Sequence, residues 1–195
     1  MPSRDQAERV AIFGGSFNPP HVAHLLAVAY VLACTEVDRV LVVPVFRHPF
    51  AKSLAPFAHR LEMCRLTFHD LARVSVSAVE ETLGGESLTV RTLEHLQSEH
   101  PHWAMRLIVG GDVVHEMDRW TQPDRIRALA KPIILGRMGV SLPPEHAGAP
   151  HVLPEVSSTS IREALAKNEA SRETLEGLVP RNVLDYIREN DLYRA

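Results

Sequence analysis

Two histidines three residues apart, His21 and His24, follow a glycine pair and a hydroxyl in the run Ala11-Ile12-Phe13-Gly14-Gly15-Ser16-Phe17-Asn18-Pro19-Pro20-His21-Val22-Ala23-His24. Residues at that spacing share one face of a helix, so both imidazoles can offer N–H donors to a single anion. Arg9 to Phe13 is apolar and β-branched at alternate places, long enough for a strand, and Gly14-Gly15 frees the backbone to turn sharply and approach a ligand. After Pro19-Pro20 the apolar residues Val22, Leu25, Leu26 and Ala29 follow a helical pattern, with Pro20 suited to the first turn. The unpaired amides at the start of that helix then face the glycine turn, an arrangement for holding phosphates. Ser16 is the one plausible nucleophile in the stretch, and no base stands obviously beside it.

Four later segments stand out, three of them with side chains of matching chemistry. Val43 to Lys52 is a proline-stiffened loop with basic and aromatic residues, able to set the Lys52 ammonium over a strand end to neutralise phosphate charge, although a lone lysine is more often solvated. Val79 to Leu93 reads as a strand end, a glycine turn at Gly84-Gly85 and a helix capped by Ser87 or Thr89, with no chemistry required. Ile108-Val109-Gly110-Gly111-Asp112 follows a strand; its glycines let a nucleotide lie against the backbone, and a carboxylate there accepts from ribose hydroxyls. Trp120 is an ordinary half-buried anchor or a face for stacking on a heteroaromatic ring. Val156-Ser157-Ser158-Thr159-Ser160-Ile161-Arg162-Glu163 opens a helix, with Ser160 and Glu163 fitting a capping box and Arg162 suited to bidentate phosphate contact.

The elements that must position these groups alternate along the chain. Strand-like runs lie at Arg9 to Phe13, Arg39 to Val43, Arg73 to Val79, Met105 to Val109, Pro132 to Leu135 and His151 to Leu153. Helical patterns lie at His21 to Thr35, Ala58 to Leu71, Thr89 to His100 and Pro123 to Ala130. The alternation predicts an α/β fold, a Rossmann-like doubly wound, mainly parallel sheet with helices on both faces and ligands beyond the carboxyl ends of its strands. Gly139 to Pro150 reads as a surface connection.

With 195 residues, 45% hydrophobic and 23% charged, the chain is large enough for one compact domain spanning 1–195. A formal charge of −3 argues against a broad nucleic-acid footprint, though a local basic pocket can hold a small anionic substrate. The histidines lack zinc-site spacing, no protein metal site is expected, and Cys34 and Cys64 fall in helical patterns where buried reduced thiols are the simpler reading. No run approaches membrane-spanning length, and the expected location is cytoplasmic. Oligomeric state is not legible.

The run Gly14 to His24 resembles the nucleotidyltransferase superfamily signature G-G-S/T-F-D/N-P-x-H-x-G-H, with Ala23 in place of the last glycine, and Val156 to Arg162 resembles its I-S-S-T-x-I-R, with Val156 for the leading isoleucine. The middle segments are similar to those of nicotinate/nicotinamide mononucleotide adenylyltransferases. Their loop V-P-x-x-x-P-H-K and following R-x-x-M match Val43 to Lys52, with altered spacing, and Arg60-Leu61-Glu62-Met63; Leu88 stands for the tyrosine of their G-x-S-Y-T segment; G-x-D and a later tryptophan match Gly110, Asp112 and Trp120. The resemblance implies ATP contacts from Gly14, Gly15, Ser16, Phe17, His21, His24, Gly110, Asp112, Ser157, Ser158, Thr159 and Arg162. It implies mononucleotide contacts from Ser16, Phe17, Lys52, Thr89 and Trp120, with His21, His24, Lys52 and Arg162 catalytic. The implied reaction is direct adenylyl transfer from ATP to a pyridine mononucleotide, with Mg²⁺ held mainly by substrate phosphates. Two alternatives stay open: a nucleotidyl transfer with CTP or another phosphate acceptor, and a nucleotide-binding regulator without catalysis.

Overall fold

A computed structural model of the chain describes residues 7–48, 54–167 and 175–194. Six strands, β1 (Glu8–Gly15), β2 (Arg39–Pro44), β3 (Val74–Val76), β4 (Trp103–Gly110), β5 (Lys131–Arg137) and β6 (His151–Leu153), form one sheet in the order β3-β2-β1-β4-β5-β6. Every pairing is parallel, as the alternation of elements predicts. The chain winds outward from β1 to β3, crosses back, and winds the other way from β4 to β6. The reversal between β1 and β4, registered Ile12 to Leu107, opens a crevice at their carboxyl ends.

The helices are α1 (Val22–Cys34), α2 (Phe57–Phe68), α3 (Val79–Leu83), α4 (Thr89–Glu99), α5 (Gly111–Val114), α6 (Pro123–Leu129), α7 (Ser158–Ala166) and α8 (Arg181–Glu189). Alternation along β1 divides its side chains between two cores. Val10 and Ile12 pack with Val90, Leu93 and Ile126 of α4 and α6. Ala11 and Phe13 pack with Ala27, Val28, Val31, Cys64 and Phe68 of α1 and α2 on the other face. A third cluster gathers Ala23 and Met63 with Val156, Ile161, Val183, Leu184 and Ile187, which fastens α7 and α8 over the start of α1.

Several local expectations need correction. β1 continues through both glycines, neither of which has positive φ; the sharp turn comes at Phe17, whose φ is 45°. Pro20 lies before α1, because His21 is the N-cap. β3 stops at Val76 since Val79 onward is helical. α4 is capped by Leu88 without a side-chain bond, Ser87 being used elsewhere. Ser157, not Ser160, caps α7, accepting from the Ser160 N–H. Cys34 is exposed at the last residue of α1, and only Cys64 is buried. Among the described residues no helix is long and apolar enough to cross a membrane.

Candidate active site

The turn that ends β1 is shaped by two glycines used for space. A Cβ on Gly14 would meet nothing within 4 Å, so that face of the strand is open to a ligand, whereas one on Gly15 would stand 3.2 Å from the Phe17 ring. Phe17 is 1% exposed and packs edge-on to Phe13 at 5.4 Å and against His24 at 4.9 Å. Its ring belongs to the core, so any contact with a nucleotide would come from its backbone. Beneath the turn lies Arg60, buried in α2, whose guanidinium donates to the carbonyls of Ser16 (3.0 Å), Val45 (2.7 Å) and Ala55 (2.9 Å). One cation thus ties the end of β1 to the segment after β2. In the sequence Arg60 stands out only as a guanidinium in an otherwise apolar helical stripe, the one local signal of its role.

The histidine rings lie against each other with centroids 3.8 Å apart and planes tilted by 33°. The His21 backbone N–H donates to His24 Nδ1 at 3.1 Å, which makes that nitrogen an acceptor and leaves the ring proton on Nε2. Burial pulls the His21 pKa down to about 4, and the Arg137 guanidinium adds to the effect. His24 reaches the cavity yet is also held well below the ordinary range, by burial first and then by His21 and Arg137. Both imidazoles are therefore neutral donors at neutral pH. His21 Nδ1 is buried and has no hydrogen-bond partner among the described residues.

The α7 signature is locked to this turn. Arg162 Nη1 donates to the Asn18 carbonyl at 2.7 Å and Nη2 to Thr159 Oγ1 at 3.2 Å, while Ser158 Oγ donates to the Pro19 carbonyl at 2.9 Å. At the end of β4, Gly110 leaves room for Asp112, whose Oδ1 would stand 2.7 Å from a Cβ there. Asp112 faces Arg137, Oδ2 to Nη2 at 3.5 Å, and Arg137 Nη1 donates to the Val156 carbonyl at 3.0 Å.

These groups surround a cavity of about 430 Å³ at the strand ends, within the ordinary range for small-molecule sites. Gly14, Gly15, Ser16, His24, Thr89, Gly110, Asp112 and Trp120 all line it. His21 lies behind His24, and Ser157, Ser158, Thr159 and Arg162 stand on the adjoining α7 shelf rather than in the cavity lining. Lys52 lies outside the described residues. The residues on either side of it are anchored: Phe46 N–H donates to Glu80 Oε2 (3.0 Å) and Ser87 Oγ (2.9 Å), and Ala55 N–H to Asn18 Oδ1 (3.0 Å).

Comparison with known proteins gives the site its context. Residues 12–164 match the Cytidylyltransferase-like family. The chain is 50% identical over 189 residues to a "probable nicotinate-nucleotide adenylyltransferase" of Anaeromyxobacter sp. (strain K), covering 95% of this chain and 97% of the relative. It is 40% identical to a protein of the same description from Myxococcus xanthus (strain DK1622), covering 96% and 95%. The chain belongs to the nicotinate-nucleotide adenylyltransferase family. Its fold is similar to that of Plasmodium falciparum nicotinic acid mononucleotide adenylyltransferase complexed with NaAD, with a TM-score of 0.82 at 19% identity over 95% of this chain and 97% of the other.

Within this family framework, three groups escaped sequence reading. Arg137 is a cation beside the histidines, detectable only as an arginine at the end of a buried strand, Ile133-Ile134-Leu135-Gly136-Arg137. Glu80 is a buried carboxylate that accepts from Phe46 N–H and, through Oε1, from Thr92 Oγ1 at 3.0 Å. Ser87, read as a helix cap, holds the backbone N–H groups of Phe46 and Arg47 instead. Ala23, the departure from the signature glycine, is 2% exposed, and its methyl fills the contact between α1 and the α7–α8 cluster.

Proposed function

We propose that the protein transfers the adenylyl group of ATP to the 5′-phosphate of nicotinate mononucleotide. An oxygen of that phosphate attacks the α-phosphorus in line, the bond from the α-phosphorus to the α,β-bridging oxygen breaks, and pyrophosphate leaves with the dinucleotide as product. The observation that carries the reading is one cavity lined both by the open glycine strand with His24 and by the indole of Trp120, at the strand reversal of a chain in this family.

In this reading the phosphates lie over Gly14, Gly15 and Ser16, where His24 and His21 donate neutral N–H groups and Arg162 supplies the fork that suits phosphate oxygens. Asp112 accepts from a ribose hydroxyl, and Trp120 offers its face to the pyridine ring, with Thr89 beside it. Ser157, Ser158 and Thr159 border the triphosphate at the α7 start, and Lys52 adds charge from the loop after β2. No covalent intermediate is needed, because fixing two substrates in line is worth on the order of 7 kcal/mol or more.

The donor in this reading is the magnesium complex of ATP. Among the described residues no group of three or more histidine, cysteine or acidic side chains is gathered to hold a metal, and the Asp112 carboxylate faces Arg137. In this reading the ion is held mainly by substrate phosphates and water.

The test is pyrophosphate release with magnesium and ATP or CTP, offered nicotinate mononucleotide, nicotinamide mononucleotide or pantetheine phosphate, with products identified by mass. Turnover is expected with ATP and nicotinate mononucleotide. Activity confined to CTP or to pantetheine phosphate would overturn the substrate assignment.

A further inference from the structure

We infer that the phenol of Tyr193, in the turn after α8, is a positioning residue for ATP: it fixes Asn18, whose carbonyl in turn holds Arg162 at the phosphate site. The inference rests on the phosphate-binding reading of Arg162 given above.

Tyr193 Oη donates to Asn18 Oδ1 at 2.8 Å, and the same oxygen accepts the Ala55 N–H at 3.0 Å. Asn18 is 2% exposed, so its side-chain carbonyl depends on these protein donors. Its main-chain carbonyl accepts from Arg162 Nη1 at 2.7 Å, and the next carbonyl, of Pro19, accepts from Ser158 Oγ at 2.9 Å. Asn18 is therefore the joint between the segment re-entering at Ala55, the α7 signature and the turn that follows α8.

The backbone around Tyr193 supplies a separate observation. Asp191 and Tyr193 have φ of 50° and 63°, a left-handed conformation that side-chain-bearing residues seldom adopt. Such geometry persists where surrounding contacts over-determine it, and the contacts here are the Leu192 N–H bond to the Ile187 carbonyl at 3.0 Å, the packing of Leu192 and Tyr193 on the α8 cluster, and the phenol on Asn18. Packing alone would be served by a phenylalanine. The hydroxyl is held as a donor, since burial raises its pKa.

Without that hydroxyl, Asn18 Oδ1 keeps only the Ala55 donor, and the carbonyl that aims Arg162 loses definition. Bidentate binding of a phosphate by guanidinium depends on orientation, so the loss falls on affinity for the polyphosphate.

The test is titration calorimetry of ATP against the full chain as wild type, Tyr193→Phe, Arg162→Lys and the double variant, well below their melting temperatures. Tyr193→Phe is expected to weaken ATP binding about five- to tenfold, the scale of one hydrogen bond. In the Arg162→Lys background the same change should add less than about twofold, because the two residues act through one path. Wild-type affinity in Tyr193→Phe, or an equal loss in both backgrounds, would overturn the inference, since a general loosening is blind to residue 162. Should Tyr193→Phe not fold, Asn18→Ala cuts the other end of the same bond and must weaken ATP to at least the same degree; undiminished affinity there overturns the inference as well. ATP affinity is read without turnover, so a wild-type protein that binds ATP but ignores nicotinate mononucleotide refutes the substrate assignment alone.

Discussion

Acidification should destabilise this protein through its histidine pair, in a pH window that the structure sets. In the unfolded chain His21 titrates at its ordinary value of 6.5, whereas in the fold burial and Arg137 hold it at about 4. Between those values the unfolded state binds the proton and the native state does not, so stability is complete above 6.5 and is lost as pH falls toward 4. From about pH 7.5 to about pH 5 the His21 difference amounts to ~2 kcal/mol. His24, lowered in the same direction, adds to the loss. The carboxylate Asp38, held low by its hydrogen bonds to Arg9, gives up its contribution only at lower pH, outside this window. Urea unfolding of wild type and His21→Gln at about pH 7.5, 6 and 5 isolates the effect, because the glutamine does not titrate. The wild type should lose ~2 kcal/mol more than the variant across that range. Parallel pH dependences would refute the reasoning, since they would mean that His21 titrates in the fold as it does in water.

Three further outcomes follow from the site geometry. Arg60→Met leaves the carbonyls of Ser16, Val45 and Ala55 without their shared donor and should cost about 3–5 kcal/mol in urea unfolding, against near-neutral if the guanidinium were merely solvated. Trp120→Ala should raise KM for nicotinate mononucleotide about tenfold with kcat little changed, because it removes a stacking face and no phosphate contact; a loss confined to kcat would contradict the stacking role. Arg137→Met should weaken ATP binding about tenfold or more by calorimetry, as it removes the cation between Asp112 and the histidines, and unchanged affinity would limit Arg137 to bracing Val156.

How much of this was legible in the sequence depended on whether a role is local. The strand-helix alternation and the position of each signature after a strand followed from periodicity and turn residues, which act over a few residues. That residues 11–24 and 156–162 serve one phosphate site was reached through resemblance, and the order of the strands only from the structure. What escaped was whatever depends on a partner distant in the chain. Ser87 reads as a cap because capping is its commonest local use, yet its oxygen is taken by N–H groups forty residues away, at Phe46 and Arg47. The glycine pair reads as a turn because glycine permits positive φ, but at Gly15 the missing side chain makes room for Phe17, and Phe17 takes the strained backbone instead. Arg137 carries no local signature at all; only the meeting of β5 with Asp112 and Val156 makes it part of the site.

The way the arginines are held bears on how a chain of net charge −3 presents a positive site. Among the described residues Arg60 donates to backbone carbonyls, Arg162 to a carbonyl and a hydroxyl, and Arg137 to a carbonyl with Asp112 standing at the longer distance of 3.5 Å. Carbonyl acceptors satisfy guanidinium N–H groups and fix their orientation without cancelling the formal charge, whereas a close carboxylate would do both. The exposed arginines show the contrast: Arg9, Arg65, Arg125 and Arg127 each sit on carboxylates at the surface. Among the described residues, these surface arginines are thus paired with carboxylates, while Arg60 and Arg162 beside the first turn are held by neutral acceptors, and Arg137 adds to the burial that keeps the histidines neutral. In the proposed reading a polyanion entering that turn finds oriented donors already in place, and its charge offsets the Arg137 repulsion that adds to the burial penalty on His21 and His24.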